Sequence, residues 1–175
     1  MNKVIIGIDP GRKSGAVAVM PLDKRPCYSE IKVYNFSDWW ADKECGTTKK
    51  GKVKYLKKRI DETSEKLIEI FRVHNPYRVF LEEVFRVQNL VEHRAEIIGV
   101  LKTLKMSYEP VNWKQWKTEM NVPFGRLPNG TKRTEEQKRA DEYEIASGLY
   151  PLIDELNKKN SASLLIAEYG RRKLV

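Results

Sequence analysis

The chain has 175 residues, 41% of them hydrophobic, enough for one sizeable core and too few for two comfortable domains. Lys and Arg number 33 against 24 Asp and Glu, and the formal charge of +9 suits a polyanionic partner, with nucleic acid first among them. No apolar run approaches the ~18 residues of a membrane span, and Asp9 interrupts the only early apolar stretch, which argues against a secretion signal and gives the expectation of a soluble, intracellular protein.

Residues 4–8 are β-branched except for Gly7, the pattern of a strand buried on both faces, and Asp9-Pro10-Gly11 ends it. Residues 15–20 predict a second strand, and the alternation over 31–36 predicts a third, half-exposed one closing an antiparallel meander. Cys27 and Cys45 form no Cys-x-x-Cys pair and no zinc set with His74 and His93, so reduced structural thiols are expected. Residues 37–54, with Trp39, Trp40, Gly46 and a run of lysines, have no clear period and read as a variable insertion or mobile connection. Leu56, Ile60, Leu67, Ile70 and Phe71 fall at near-helical spacing and predict a long amphipathic helix that stops before Asn75-Pro76. A buried strand over 78–83, a helix over 91–104 and a short strand over 106–111 follow, the alternation of parallel crossovers. Residues 121–133 carry Pro123, Gly125, Pro128 and Gly130 among basic side chains, a composition for a flexible loop that orders on a ligand. Thr134 and Gln137 make a capping box for a helix reaching about 148–149, and residues 162–169 are the apolar part of a last helix. One α/β domain over 1–175 accounts for the whole pattern.

Asp9 closes its strand in Ile-Gly-Ile-Asp-Pro-Gly, with glycines on either side that leave space for a ligand; an acid there can also simply satisfy turn amides. Glu82 ends the second apolar strand in Val-Phe-Leu-Glu-Glu-Val-Phe. Two central strands ending in acids at one edge weigh more, because buried carboxylates repel unless a cation joins them. Mg2+ prefers hard oxygen ligands, and phosphodiester hydrolysis with two ions about 4 Å apart recruits at least three acids. Asp9 and Glu82 supply two.

These residues resemble the RuvC-type Holliday junction resolvases of the RNase H-like superfamily. The family's first strand ends in Gly-Ile-Asp-Pro-Gly with a further Gly opening the next strand, matched by Gly7 to Gly11 and Gly15. Its second motif is matched by Leu81-Glu82-Glu83-Val84-Phe85, followed by Gln88 and Asn89. Pro110-Val111-Asn112 leading into Trp113-Lys114-Gln115-Trp116-Lys117 is similar to the family's strand and the helix with a functional lysine. The resemblance implies an RNase H-like mixed five-stranded sheet flanked by helices, and Glu82 rather than Glu83 as a ligand; strand alternation agrees, since Glu83 would point to the opposite face. It implies a lysine on this helix that stabilises charge at the scissile phosphate, for which Lys117 is preferred to Lys114, although a lysine on an amphipathic helix is usually just solvated. Trp113 and Trp116, three residues apart, are expected to pack that helix on the sheet.

DNA contacts are expected from Phe85, which corresponds to an aromatic inserted beside junction bases, and from Arg86, Gln88, Asn89, Lys114, Arg126, Lys132, Arg133 and Lys138. Further lysines at 49, 50, 52, 54, 57 and 58 add to the basic character, while Arg171-Arg172-Lys173 suits a helix C-terminus. A four-way junction has pairwise symmetry, and the resemblance implies a homodimer with two sites. The helix over 91–104, with Ile97, Ile98 and Leu101, is a candidate interface, and packing wholly inside the monomer is equally compatible.

The last motif departs from the pattern. Where the family carries an Asp before an apolar helix, this chain has Ala162 in Asn160-Ser161-Ala162-Ser163-Leu164-Leu165-Ile166-Ala167, and Lys159 stands where a second acid or histidine is common. In an intact site Asp9, Glu82 and an acid at 162 would hold Mg2+ or Mn2+ and leave 5′-phosphate and 3′-hydroxyl ends. Three readings of Ala162 stand: an engineered Asp→Ala replacement that binds junctions without cutting them, favoured by its polar neighbours; a natural binder that has lost cleavage; and use of Glu168 instead, six residues further along the helix and on a different face. The expected activity is structure-selective resolution of four-way junctions. The alternatives are an RNase H-like nuclease for flaps, RNA or hybrids, and a non-cleaving junction binder; an actin-like ATPase would need a duplicated unit that this length does not hold.

Overall fold

A computed structural model describes residues 3–23, 27–49, 52–85 and 87–175, with the backbone alone over 41–49 and 52–60. Five strands form the central sheet: β1 (Val4–Asp9), β2 (Ala16–Pro21), β3 (Lys32–Asn35), β6 (Arg78–Glu82) and β7 (Tyr108–Val111). Their order is β3-β2-β1-β6-β7. The β1–β2 and β2–β3 pairs are antiparallel, and β1–β6 and β6–β7 are parallel, so the opening meander and the later crossovers meet at β1. This is the mixed five-stranded α/β sheet expected from the sequence.

Alternation along the strands gives each face its own core. Ile5, Ala18, Met20 and Phe80 face α3 (Trp113–Glu119), α4 (Glu135–Leu149) and α5 (Ser161–Leu174), meeting Trp116, Ala146, Leu164 and Leu165. Ile6, Ile8, Val17, Val19, Val79 and Leu81 face α1 (Thr63–His74) and α2 (Gln88–Thr103), meeting Leu67, Phe71, Ile97 and Leu101. Each fully buried Leu, Ile or Phe contributes about 1.5–3 kcal/mol of transfer free energy, so both layers are needed to offset the entropy of ordering the chain. Ile97, Val100 and Leu101 are buried in this core, so the apolar face of α2 is spent within the monomer and Ile98 is only partly covered.

α5 presses on β1 at the one residue that permits it. A Cβ at Gly7 would lie 2.3 Å from the Ala167 amide nitrogen and 2.4 Å from the Ser163 carbonyl oxygen. At Gly15 it would meet the Asp9 carbonyl oxygen at 2.2 Å. The glycines around Asp9 therefore admit a helix and close the turn rather than leaving space for a ligand, which corrects the expectation from the sequence.

Residues 37–54 are also different from expectation. After a short 3-10 turn at Phe36–Trp39, β4 (Trp40–Lys49) and β5 (Lys52–Asp61) pair antiparallel as a two-stranded ribbon. Its register, from Trp40 opposite Asp61 to Lys49 opposite Lys52, exists only between the two strands and is invisible to any single-segment period. Leu56 and Ile60 accordingly belong to β5, and the helix begins only at Thr63. Asp61 decides that start, since its Oδ1 accepts from the Thr63 amide at 3.0 Å and from the Thr63 hydroxyl at 2.5 Å. The capping box at Thr134 and Gln137 forms as expected. No described helix is long and apolar enough to cross a membrane.

Candidate active site

In the parallel register of β1 and β6, Ile8 pairs with Leu81, so the next residues along, Asp9 and Glu82, leave the sheet side by side. Burial raises the pKa of both carboxyl groups, and their charges act on each other. Of the two, Asp9 is the more strongly disfavoured as a carboxylate. Burial pushes its pKa well above the ordinary carboxylate value, the charges of Glu82 and Glu142 push it further, and the Arg139 guanidinium opposes them. Glu82 is also raised by burial, but the Trp116 indole N–H donates to its Oε1 at 2.9 Å and the Lys117 ammonium favours its charged form. Glu82 is thus the oriented member of the pair, and these two neighbours partly offset the effect of burial on its charged form. Glu83 lies past the strand end, where alternation no longer holds, and it too borders the site.

These carboxyls sit in a groove of about 1450 Å3 whose wall is largely basic. Lys114, Lys117, Arg126, Lys132, Lys138 and Arg139 line it, together with Lys158 and Lys159. Phe85, 61% exposed, and Trp113, edge-on to Phe124 with ring centroids 5.7 Å apart, supply aromatic surface on the same groove. Trp116 is buried as expected, yet its indole N–H also serves the site. Arg126 donates to the Gly130 carbonyl at 2.8 Å, and the Arg126–Lys132 bridge gives the basic loop a defined turn. Lys138 pairs with Glu135 one turn back.

Other expected contacts fall elsewhere. Gln88 and Asn89 are exposed on the first turn of α2 but do not line the groove, and Gln88 donates to Glu92 at 2.9 Å. Arg133 pairs with Asp141, leaving little of its side chain in solvent. Arg86 and residues 50 and 51 lie outside the described residues, and the lysine side chains at 49, 52, 54, 57 and 58 are not described. Glu168 is excluded from the site. It is buried, and Tyr150 donates to it at 2.5 Å, Arg171 at 2.7 and 2.8 Å and Arg172 at 2.6 Å, a satisfied structural carboxylate that burial opposes but these donors hold below its ordinary pKa.

Ala162 lines the groove at the start of α5, as the family pattern requires of an acid in that place, and Lys159 lines it one turn earlier. Sequence reasoning overlooked Glu142. It is 7% exposed on α4, borders the same groove, and accepts from Lys117 Nζ at 2.6 Å. The only sequence signal was positional, for Glu142 stands in line with Ile145, Ala146 and Leu149 on the apolar stripe of α4, where a carboxylate needs a reason. Lys117, expected to face a phosphate, is instead held by that buried carboxylate.

A magnesium or manganese ion fits this donor set in part. Asp9 and Glu82 are hard oxygen donors held side by side where burial opposes their ionisation, an opposition a cation would relieve. Among the described residues, however, no three His, Cys, Asp or Glu side chains stand close enough together, as they are, to hold an ion.

No protein-family model and no curated protein matches the chain. Solved structures do. Thermus thermophilus RuvC in complex with a Holliday junction substrate is 15% identical, with a TM-score of 0.54 over 97% of this chain and 96% of that one. The fowlpox virus Holliday junction resolvase is 13% identical, with a TM-score of 0.55 over 98% of this chain and 99% of that one. Thermus thermophilus RuvC also matches in a second structure, at 12% identity and a TM-score of 0.51 over 97% and 96% of the two chains. The chain has the RuvC-type, RNase H-like fold along nearly its whole length.

Proposed function

We propose that the chain is a structure-selective endonuclease acting on four-way DNA junctions by metal-dependent phosphodiester hydrolysis. The observation that carries this reading is the convergence of Asp9 and Glu82 on adjacent strand ends at the floor of a basic groove. The resolvase relatives in fold, one of them bound to a junction, support the choice of substrate. Asp9 and Glu82 would hold Mg2+ or Mn2+, which when bound supplies an activated water and charge stabilisation at phosphorus. Trp116 fixes the Glu82 rotamer, and the raised proton affinity of Asp9 means the site gives up a proton as it loads. Lys114, Arg126, Lys132 and Lys138 neutralise phosphates along the groove, and Phe85 offers an exposed ring to unstacked junction bases. A two-fold dimer would set one such groove on each of two opposed strands.

The test is cleavage of an immobile four-way junction, a flap and an RNA–DNA hybrid in Mg2+, with Asp9→Asn as control. Preferential nicking of the junction, lost with Asp9→Asn or chelator, supports the proposal; chelator-resistant cutting or preference for the hybrid overturns it. A second reading, a junction-binding protein that does not cut, draws on Ala162 and Lys159 in the groove. Ala162→Asp separates the two, because a pure binder gains no metal-dependent turnover from the added acid.

A further inference from the structure

The groove lacks an acid on α5, yet a carboxylate reaches it from α4. Ala162 and Glu142 line the same groove from neighbouring helices, and both are almost fully buried. A carboxylate 7% exposed on an apolar stripe is costly to keep unless it has a task, and Lys117 donates to it at 2.6 Å. The charge of Glu142 reaches both Asp9 and Glu82, and that of Lys117 reaches Glu82, so the four groups form one electrostatic unit.

We infer that Glu142 is the third acidic ligand of this site, replacing from α4 the acid absent at position 162, and that ion binding takes it from Lys117. The inference rests on the proposed metal-dependent function. In the ion-free protein the ammonium neutralises Glu142, the service a divalent cation would perform more strongly. Once the carboxylate turns to the ion, Lys117 loses its partner and its charge becomes available to a phosphate in the groove. Loading and phosphate binding are then linked through one lysine, and Ala162 need not mean an inactive protein.

The experiment is a Mn2+ titration of the whole chain, free ion being read by electron paramagnetic resonance, alongside junction nicking in Mg2+. Wild type, Glu142→Gln, Ala162→Asp and the Glu142→Gln/Ala162→Asp double variant are compared, with Asp9→Asn as baseline. Wild type is expected to bind Mn2+ above baseline, and Glu142→Gln to bind about tenfold or more weakly with its circular dichroism unchanged. Recovery in the double variant would show that an acid on α5 substitutes for one on α4. Should Glu142→Gln melt early because Lys117 is left unpaired, Glu142→Gln/Lys117→Met carries the same binding test. Mn2+ affinity of Glu142→Gln within about twofold of wild type overturns the inference, and if that variant still nicks junctions the nuclease reading survives it. Wild type at baseline also overturns it: Ala162→Asp that then binds and cuts leaves the nuclease reading standing, while Ala162→Asp that does neither removes both.

Discussion

His93 is fully buried on α2, neither ring nitrogen has a hydrogen-bond partner, and its ring stands edge-on to Phe36 with centroids 4.6 Å apart. Burial, with the nearby Arg12 guanidinium, lowers its pKa from 6.5 to about 4, and Asp61 only partly opposes this. Between those two values the unfolded chain binds a proton that the native protein refuses, so stability is complete above about pH 6.5 and is lost as pH falls towards 4. At about 1.4 kcal/mol per pH unit the loss from this one residue is about 2 kcal/mol at pH 5, and about 3 kcal/mol once both states are protonated. His93→Leu keeps the apolar contact, removes the two unsatisfied nitrogens and abolishes the titration. Urea unfolding of wild type and variant in chelator at about pH 7.5, 6 and 5 is expected to show the variant gaining about 2 kcal/mol on wild type across that range. Comparing the two cancels the carboxylates, which titrate in both. A stability difference that stays constant to within about 0.5 kcal/mol would mean that the native imidazole takes up its proton as readily as the unfolded one, and the reasoning from burial would be wrong.

Asp9→Asn replaces a carboxyl whose ionisation burial opposes with a neutral amide, and it should raise the ion-free melting temperature at neutral pH by a few degrees while abolishing Mn2+ binding, both read on the same sample. Because Asp9 holds its proton far above the ordinary range, metal uptake should release protons and weaken as pH falls, measurable by calorimetry in buffers of different ionisation enthalpy. Gly7→Ala sets a methyl against the backbone of α5 and should destabilise the protein by about 3 kcal/mol in chemical unfolding, whereas Gly125→Ala, away from any packed neighbour but at φ +87°, should cost only about 1 kcal/mol. Arg126→Ala and Lys132→Ala should each lower the salt slope of junction binding by about 1 without changing stability, while Arg133→Ala, which strands Asp141, should lower stability and leave that slope nearly unchanged.

Where side chains met the sheet, local pattern sufficed. The β-branched run ending in Asp9, the apolar run ending in Glu82 and the Thr134 capping box were all legible, because strand alternation and helix capping are set by neighbours in sequence. The ribbon of β4 and β5 was not, since its lysines obscure any period and its register exists only between the two strands. The ion pair of Arg133 was illegible for a similar reason: a basic residue in a basic loop carries no mark of the aspartate two turns along α4 that it meets.

By itself the sequence determined that two carboxylates end two buried strands and that the last helix brings an alanine instead of a third. Only the folded chain decided that parallel pairing of β1 with β6 brings Asp9 against Glu82, and that α4 lays Glu142 and Lys117 beside them. The physical reason is distance along the chain. Strand and helix propensities act over a few residues, whereas the charges that define this site lie 73 and 60 positions apart between 9, 82 and 142, and they interact only after burial has removed the water between them.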